Sequence, residues 1–190
     1  MWLFAIPAAI FGAAFFTRGN AQGQSFISKV KEMFGPPEPY GPRQTVNASD
    51  LDVMARTIWG EARGEGRLGM QAVANVIMNR YALVQRNKAY GVLWGRTIKQ
   101  ICQKPSQFSV WLTKDRNYVP MTTVTASDPL FAEALSIARM ALSYTLADIT
   151  KGATFYHTKQ IRPTWVVKSG SPAPIKIVGN HMFYTAGQIA

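Results

Sequence analysis

The sequence predicts an α+β fold, helices first and strands last. Two observations carry this prediction: three stretches that read as helix lie before residue 148, and the extended-looking segments, with a two-residue Gly179-Asn180 turn, lie after Gly152. A third bounds the solution: among 190 residues there is one cysteine, Cys102, so no internal disulfide framework and no thiolate-rich zinc site is available. Hydrophobic residues make up 47% and charged residues 16%, too apolar for a disordered chain and enough for one domain with a real core.

The elements follow in chain order. Trp2 to Phe16 carries no charge, and its fifteen residues span about 22 Å as a helix, short of the ~30 Å hydrocarbon core. Residues 1–17 therefore read as a signal peptide or a signal anchor. Gly19 and Ala21 suit a cleavage before Gln22, whereas no basic residue precedes Trp2. A buried amino-terminal core helix is the alternative; either export reading places the remainder in the periplasm or cell envelope. Residues 18–48 read as a linker, with a short amphipathic helix over Phe26 to Phe34 and then Pro36, Pro37, Pro39 and Pro42 excluding regular structure.

The folded domain is expected over 49–190. Ser49 and Asp52 resemble a capping box, and Leu51, Ala55, Ile58 and Ala62 then mark one helix face. Gly64 and Gly66 end that helix around Glu65. Leu68 to Leu83 is a second helix, and Asp128-Pro129 opens a third that runs to Ala147, with Asp at the N-cap and Pro at the first turn. Ala153 to Tyr156 is extended. Ile175 to Val178 and His181 to Tyr184 form a hairpin about Gly179-Asn180.

Lysine and arginine total 21 against 10 aspartates and glutamates, a net charge of +11. The surplus is spread without a basic block, which suits a solvated basic surface or one that meets an anionic partner such as wall polymer; no nucleic-acid motif is present.

Ten acids can be taken one by one. Glu32 and Glu38 lie in the linker, and Asp50, Asp52, Asp128 and Asp148 lie at helix ends, which leaves Glu61, Glu65, Asp115 and Glu133. At ~100° per residue, Glu61 falls about 280° from Leu51, at the border of the apolar stripe. A carboxyl there loses hydration, its pKa rises, and it becomes a general acid that is protonated near neutral pH. Glu65, one turn on, is expected to orient the loop by pairing with Arg63, Arg67 or Arg80, or else to act as a second carboxylate. Asp115 reads as a surface ion pair with its basic neighbours, and Glu133 as a solvated helix-face residue.

Several collinear motifs then resemble the SleB-type cell wall hydrolase family of spore-cortex-lytic enzymes. They are Gly60-Glu61-Ala62-Arg63-Gly64-Glu65; Gly69 to Val76 with Asn79-Arg80; Ile101-Cys102 with Gln107-Phe108-Ser109; Ala153 to His157 with Pro163-Thr164-Trp165; and Gly179 to Tyr184. The resemblance implies a lysozyme-like, lytic-transglycosylase-like helical domain with a small C-terminal β-hairpin or sheet, and peptidoglycan as substrate. It implies Glu61 as the catalytic acid, cutting between N-acetylmuramic acid and N-acetylglucosamine to leave a 1,6-anhydromuramyl end, without metal or cofactor. Glu65 and His157 are possible supporting residues. Gln107, Phe108, Ser109, Tyr156, Trp165 and Asn180 are candidates for the glycan groove, since such grooves combine aromatic rings with hydrogen-bonding side chains. Phe108 reads equally as core.

Two other classes stay open. A peptidoglycan amidase would need zinc and three protein ligands, for which only His157, His181, Cys102 and a few acids are on offer. A non-catalytic basic adaptor tethered to wall or membrane would bind without releasing muropeptides. Host type and oligomeric state are not written in the sequence.

Overall fold

The computed structural model describes residues 46–189; the expectations for 1–17 and for most of 18–48 lie outside the described residues. Helix α1 (Ala48–Ala62) starts two residues earlier than the capping-box reading placed it. Asn47 is the cap, its side-chain oxygen accepting the Ser49 and Asp50 N–H groups at 2.8 and 3.3 Å. Asp52 instead meets Arg56 one turn on, at 2.9 Å. The expected face is real: Ala55, Ile58 and Ala62 are buried, joined by Val53, Met54 and Trp59.

After α1 the chain tightens into a 3-10 turn over Arg63–Glu65 and re-enters helix at once as α2 (Gly66–Arg86), longer at both ends than Leu68 to Leu83. Gly66 makes the corner at φ +66°, a conformation that favours glycine. Two short helices, α3 (Tyr90–Trp94) and α4 (Ile98–Gln103), a 3-10 turn at Ser109–Trp111 and α5 (Tyr118–Thr123) wrap the helical core. Helix α6 (Pro129–Leu142) begins as expected, the Asp128 carboxylate accepting the Phe131 N–H at 2.8 Å. It ends five residues before Ala147, because the chain turns left-handed at Tyr144, φ +57°. Helices α1, α2 and α6 pack on one another around Met54, Ile58, Met70, Ile77, Ile137 and Ala138.

The carboxy-terminal part is a three-stranded antiparallel sheet in the order β1-β3-β2, with β1 at Phe155–Thr158, β2 at Lys176–Val178 and β3 at His181–Tyr184. Val178 pairs with His181 across the expected two-residue turn, and Tyr156 pairs with Phe183. The extended segment thus starts two residues later than Ala153 and serves as the second partner of β3. Helix α7 (Thr164–Lys168) lies between β1 and β2, and α8 (Ala186–Ile189) follows β3. Phe183 packs with Ala72 and Val76 of α2, which joins the sheet to the helices, while Tyr184, Val166 and Ile189 form a separate cluster on the other side. The helical body with its small late sheet agrees with the α+β expectation. No helix among the described residues is long and apolar enough to cross a membrane.

Candidate active site

The site begins with a close approach. Gly60 sits in the last turn of α1 against Val110, and a Cβ at position 60 would lie 2.9 Å from the Val110 Cβ, closer than side chains tolerate. The missing side chain lets the 3-10 turn lie on the helix. That contact brings the Val110 N–H to the neighbouring carboxylate, where it donates to Glu61 Oε1 at 3.0 Å. The Trp111 indole N–H donates to Thr57 Oγ1 at 3.0 Å and fixes the turn from its other end.

The second oxygen of Glu61 is held by the sheet. The Tyr156 hydroxyl donates to Oε2 at 2.9 Å. Tyr156 is itself wedged between rings, with Phe108 at 6.4 Å, Phe183 at 5.7 Å and His181 at 5.1 Å between centroids. Glu61 is therefore half-buried, with one hydrogen-bond donor on each oxygen. Burial pushes its carboxyl above the ordinary range. The two donors pull in the opposite direction, and the Asp115 carboxylate adds to the rise. Burial also raises the Tyr156 phenol well above the usual tyrosine value, so it stays a donor at any physiological pH.

Glu65 is turned to structure. Its Oε2 accepts the Asn180 N–H at 2.9 Å, and Gly179 offers no Cβ that would collide with it, φ being +54°. The expected arginine partners are engaged elsewhere. Arg63 reaches Asn117 Oδ1 at 2.7 Å and lies 4.1 Å over the Trp59 ring, Arg67 pairs with Glu133 at 3.2 Å, and Arg80 donates to the Thr154 carbonyl at 2.8 Å. Glu133 is thus ion-paired rather than merely solvated. Asp115 makes no ion pair among the described residues; its Oδ1 accepts the Asn117 N–H at 2.8 Å, a local turn bond. Glu65 orients the loop as expected, but through the hairpin backbone instead of a cation.

The remaining expected residues divide. Phe108 is buried beside Tyr156, so its ring walls the site from inside. Ser109 is exposed next to Val110, and its own N–H also acts on the Glu61 carboxylate. Gln107 is half-buried, one residue before Phe108. Asn180 holds the hairpin, donating from its side chain to Gln160 at 2.7 Å. His157 and Trp165 stand apart. Successive strand residues face opposite ways, so His157 points away from the Tyr156 side. Its ring stacks on Tyr184 at 5.4 Å and meets Trp165 edge-on at 5.6 Å. The sequence carries no mark of Val110 or Asp115 as partners of Glu61; Gly60, a helical glycine beside the acid, is the one local sign of the close approach by Val110.

Among the described residues no three of His, Cys, Asp and Glu cluster as metal ligands. Chemically, the arrangement can deliver a proton from a buried carboxyl and then hold the resulting anion on two preset donors.

The comparisons with known proteins bear on this geometry. A family model described as Cell Wall Hydrolase matches residues 64–184, starting three residues past Glu61. The spore cortex-lytic enzyme of Bacillus cereus is 40% identical over 63 residues, which is 33% of this chain and 23% of that protein, so the match spans about a quarter of the relative's length. The catalytic domain of the germination-specific lytic transglycosylase SleB from Bacillus anthracis superposes with a TM-score of 0.52 at 22% identity, over 75% of this chain and 98% of that domain. The Bacillus cereus SleB catalytic domain gives the same score at 23% identity, over 78% and 98%. Those two likenesses establish the fold.

Proposed function

The chain belongs to the cell wall hydrolase family, and from that membership we propose that it cleaves the glycan strands of peptidoglycan as a lytic transglycosylase. The observation that carries the reading is the state of Glu61: a half-buried carboxyl whose proton is favoured by burial, with the Val110 N–H and the Tyr156 hydroxyl in place for the anion.

The steps follow. Glu61 gives its proton to the oxygen that links N-acetylmuramic acid to N-acetylglucosamine, and the bond from that oxygen to the muramyl anomeric carbon breaks. Positive charge spreads over the anomeric carbon and the ring oxygen. The 6-hydroxyl of the same muramyl residue attacks the anomeric carbon, and its proton passes to the ionised Glu61, which restores the acid. The new end is a 1,6-anhydromuramyl sugar, and the other fragment carries a free hydroxyl. One carboxyl suffices because it acts first as acid and then as base. The hydrogen bond that Glu65 accepts from the Asn180 N–H supports a structural part for it in this reading.

Tyr156 and Ser109 stand beside the acid and are assigned to the glycan, together with Gln107, two residues before Ser109; Phe108 backs Tyr156 from the interior, and Asn180 borders the site through the hairpin. The apolar stretch at 2–16 supports an exported protein, delivered by a signal peptide or held at the inner membrane by an anchor, that works in the cell envelope. The wall's anionic polymer is the natural partner of a chain with charge +11.

Hydrolysis by water is the second reading, favoured by one observation: the Asp115 carboxylate acts on Glu61 through its charge, and a second acid is what activation of a water calls for. Mass spectrometry of muropeptides released from purified sacculi separates the two. Anhydro ends are expected; reducing ends alone would replace transglycosylation by hydrolysis, and uncut glycan with peptide stems released would replace both by an amidase.

A further inference from the structure

Arg80 is a buried cation that the proton-donor chemistry above does not use. It sits in the last third of α2 and is 3% exposed. Its Nε–H donates to the Thr154 carbonyl at 2.8 Å, but its Nη1 is buried with no hydrogen-bond partner. No carboxylate among the described residues lies within ion-pair distance of it. Instead its guanidinium lies over ring faces, 5.2 Å from the centre of Phe108, 5.7 Å from Trp94 and 6.0 Å from Phe155. Taking such a charge out of water is costly unless something nearby offsets it. Cation–π contacts offset part of that cost.

The surroundings say what the charge faces. Against the effect of burial, Tyr156, Cys102 and Glu61 favour the protonated guanidinium wherever they carry negative charge, and of the three Glu61 is the carboxylate. Burial lowers the Arg80 pKa only to about 10, so it remains a cation at neutral pH, whereas burial drives the Cys102 thiol up to about 12 and keeps it neutral. Phe108 joins the two ends of the arrangement, touching Arg80 on one side and Tyr156 on the other, and Tyr156 is hydrogen-bonded to Glu61. From the other elements around Glu61 come Asp115, which opposes the anion, and the Val110 and Ser109 amides, which favour it.

We infer that Arg80 is the buried counter-charge of the site, a positioning residue that acts through Tyr156 and holds the ionised Glu61 in place once its proton has gone to the leaving oxygen. The inference rests on the reading of Glu61 as proton donor. A lone carboxylate in an apolar wall is a poor place to leave a negative charge. A fixed cation behind the Phe108 and Tyr156 rings lowers the cost of that state in a medium where charges act over longer range than in water. The cation is buried and fixed by its bond to the Thr154 carbonyl, and among the described residues no acid forms an ion pair with it.

The test is a titration that needs no substrate. In chain labelled with ¹³C at the glutamate carboxyls, the Glu61 resonance is identified by its loss in Glu61→Gln and followed with pH in the parent and in Arg80→Met, Arg80→Gln and Arg80→Lys. Methionine matches the stem and removes the charge; glutamine also keeps a donor for the Thr154 carbonyl; lysine keeps the charge. The Met and Gln variants are expected to move the Glu61 titration upward by about one pH unit, and the Lys variant to leave it within a few tenths. In lysis assays the alkaline limb should move up by the same amount, and the acid plateau should fall roughly tenfold. Unshifted Glu61 titration in both neutral variants overturns the inference. So does failure of both to fold by circular dichroism, which would make Arg80 a folding element. Undiminished lysis by Glu61→Gln would instead remove the donor reading, and the titration result would stand apart from it.

Discussion

On one face of β1 the Tyr156 hydroxyl meets a carboxylate; on the other the His157 ring is closed off by a carbonyl and a phenol. Both residues are half-buried, adjacent in sequence, and part of the same motif. Tyr156 donates to Glu61 Oε2 at 2.9 Å across 95 positions of sequence. His157 places Nδ1 2.8 Å from the Thr158 carbonyl and Nε2 3.0 Å from the Tyr184 hydroxyl. A carbonyl only accepts, so Nδ1 carries the proton and Nε2 accepts from the phenol. Neither nitrogen is left for a substrate. The strand's period of two, rather than residue type, decides which neighbour faces Glu61.

The contrast can be broken most severely at Glu61. Glu61→Gln keeps the shape and the Val110 N–H contact but carries no transferable proton. Lysis of purified sacculi should fall by about 10³-fold, the general-acid contribution, with the circular dichroism spectrum unchanged. Activity within tenfold of the parent would move the chemistry off this face of β1. Tyr156→Phe is the next cut. It removes one charge-assisted hydrogen bond, about 1.5–3 kcal/mol, hence roughly tenfold to a hundredfold in rate if the bond is made fully in the transition state. Its pH effect has a definite sign. The phenol's hydrogen bond favours ionised Glu61, so its loss raises the carboxyl further. The acid must be protonated to act, and the alkaline limb of the rate profile should therefore move to higher pH. A downward move would mean that Tyr156 stabilises the protonated acid.

What could be read from the chain divides along the same line. Local signals served well: Asp128-Pro129 capped α6, Gly179-Asn180 turned the hairpin in the register of Val178 opposite His181, and the helical angle put Glu61 at the rim of the buried stripe. The angle says where a side chain leaves its helix and nothing about what meets it. The Val110 N–H is a backbone group with no side-chain signature, delivered by a turn 49 positions away. Asp115 read as an ion pair because lysine and arginine flank it, yet its oxygen closes a turn onto Asn117 instead. Glu65 had three arginines within reach in sequence, and the fold gave it a hairpin amide. In each case the misreading came from assigning a charge to its sequence neighbours, whereas these long-range partners are set by which elements pack. Trp165 shows the same limit. It shares a motif with the site residues, but α7 carries it to the His157 side, 5.4 Å from Phe155 and 5.6 Å from Tyr184.

The smallest expected change in rate belongs to His157. His157→Gln retains a donor and an acceptor near the Thr158 carbonyl and the Tyr184 hydroxyl but removes the ring from its stack on Tyr184 and its edge contact with Trp165. The cost should appear in stability, about 1 kcal/mol for weakened hydrogen bonds and lost aromatic contact, and register as a lower midpoint in urea. Lysis at a temperature where the variant stays folded should remain within about threefold of the parent, because nothing on the Glu61 face has changed. The alkaline limb of the pH profile should stay where it is, since the contacts of Glu61 are untouched. A variant as stable as the parent but a hundredfold slower would place His157 in the glycan's path, and would mean that β1 bends enough on substrate binding to bring both of its faces to the sugar.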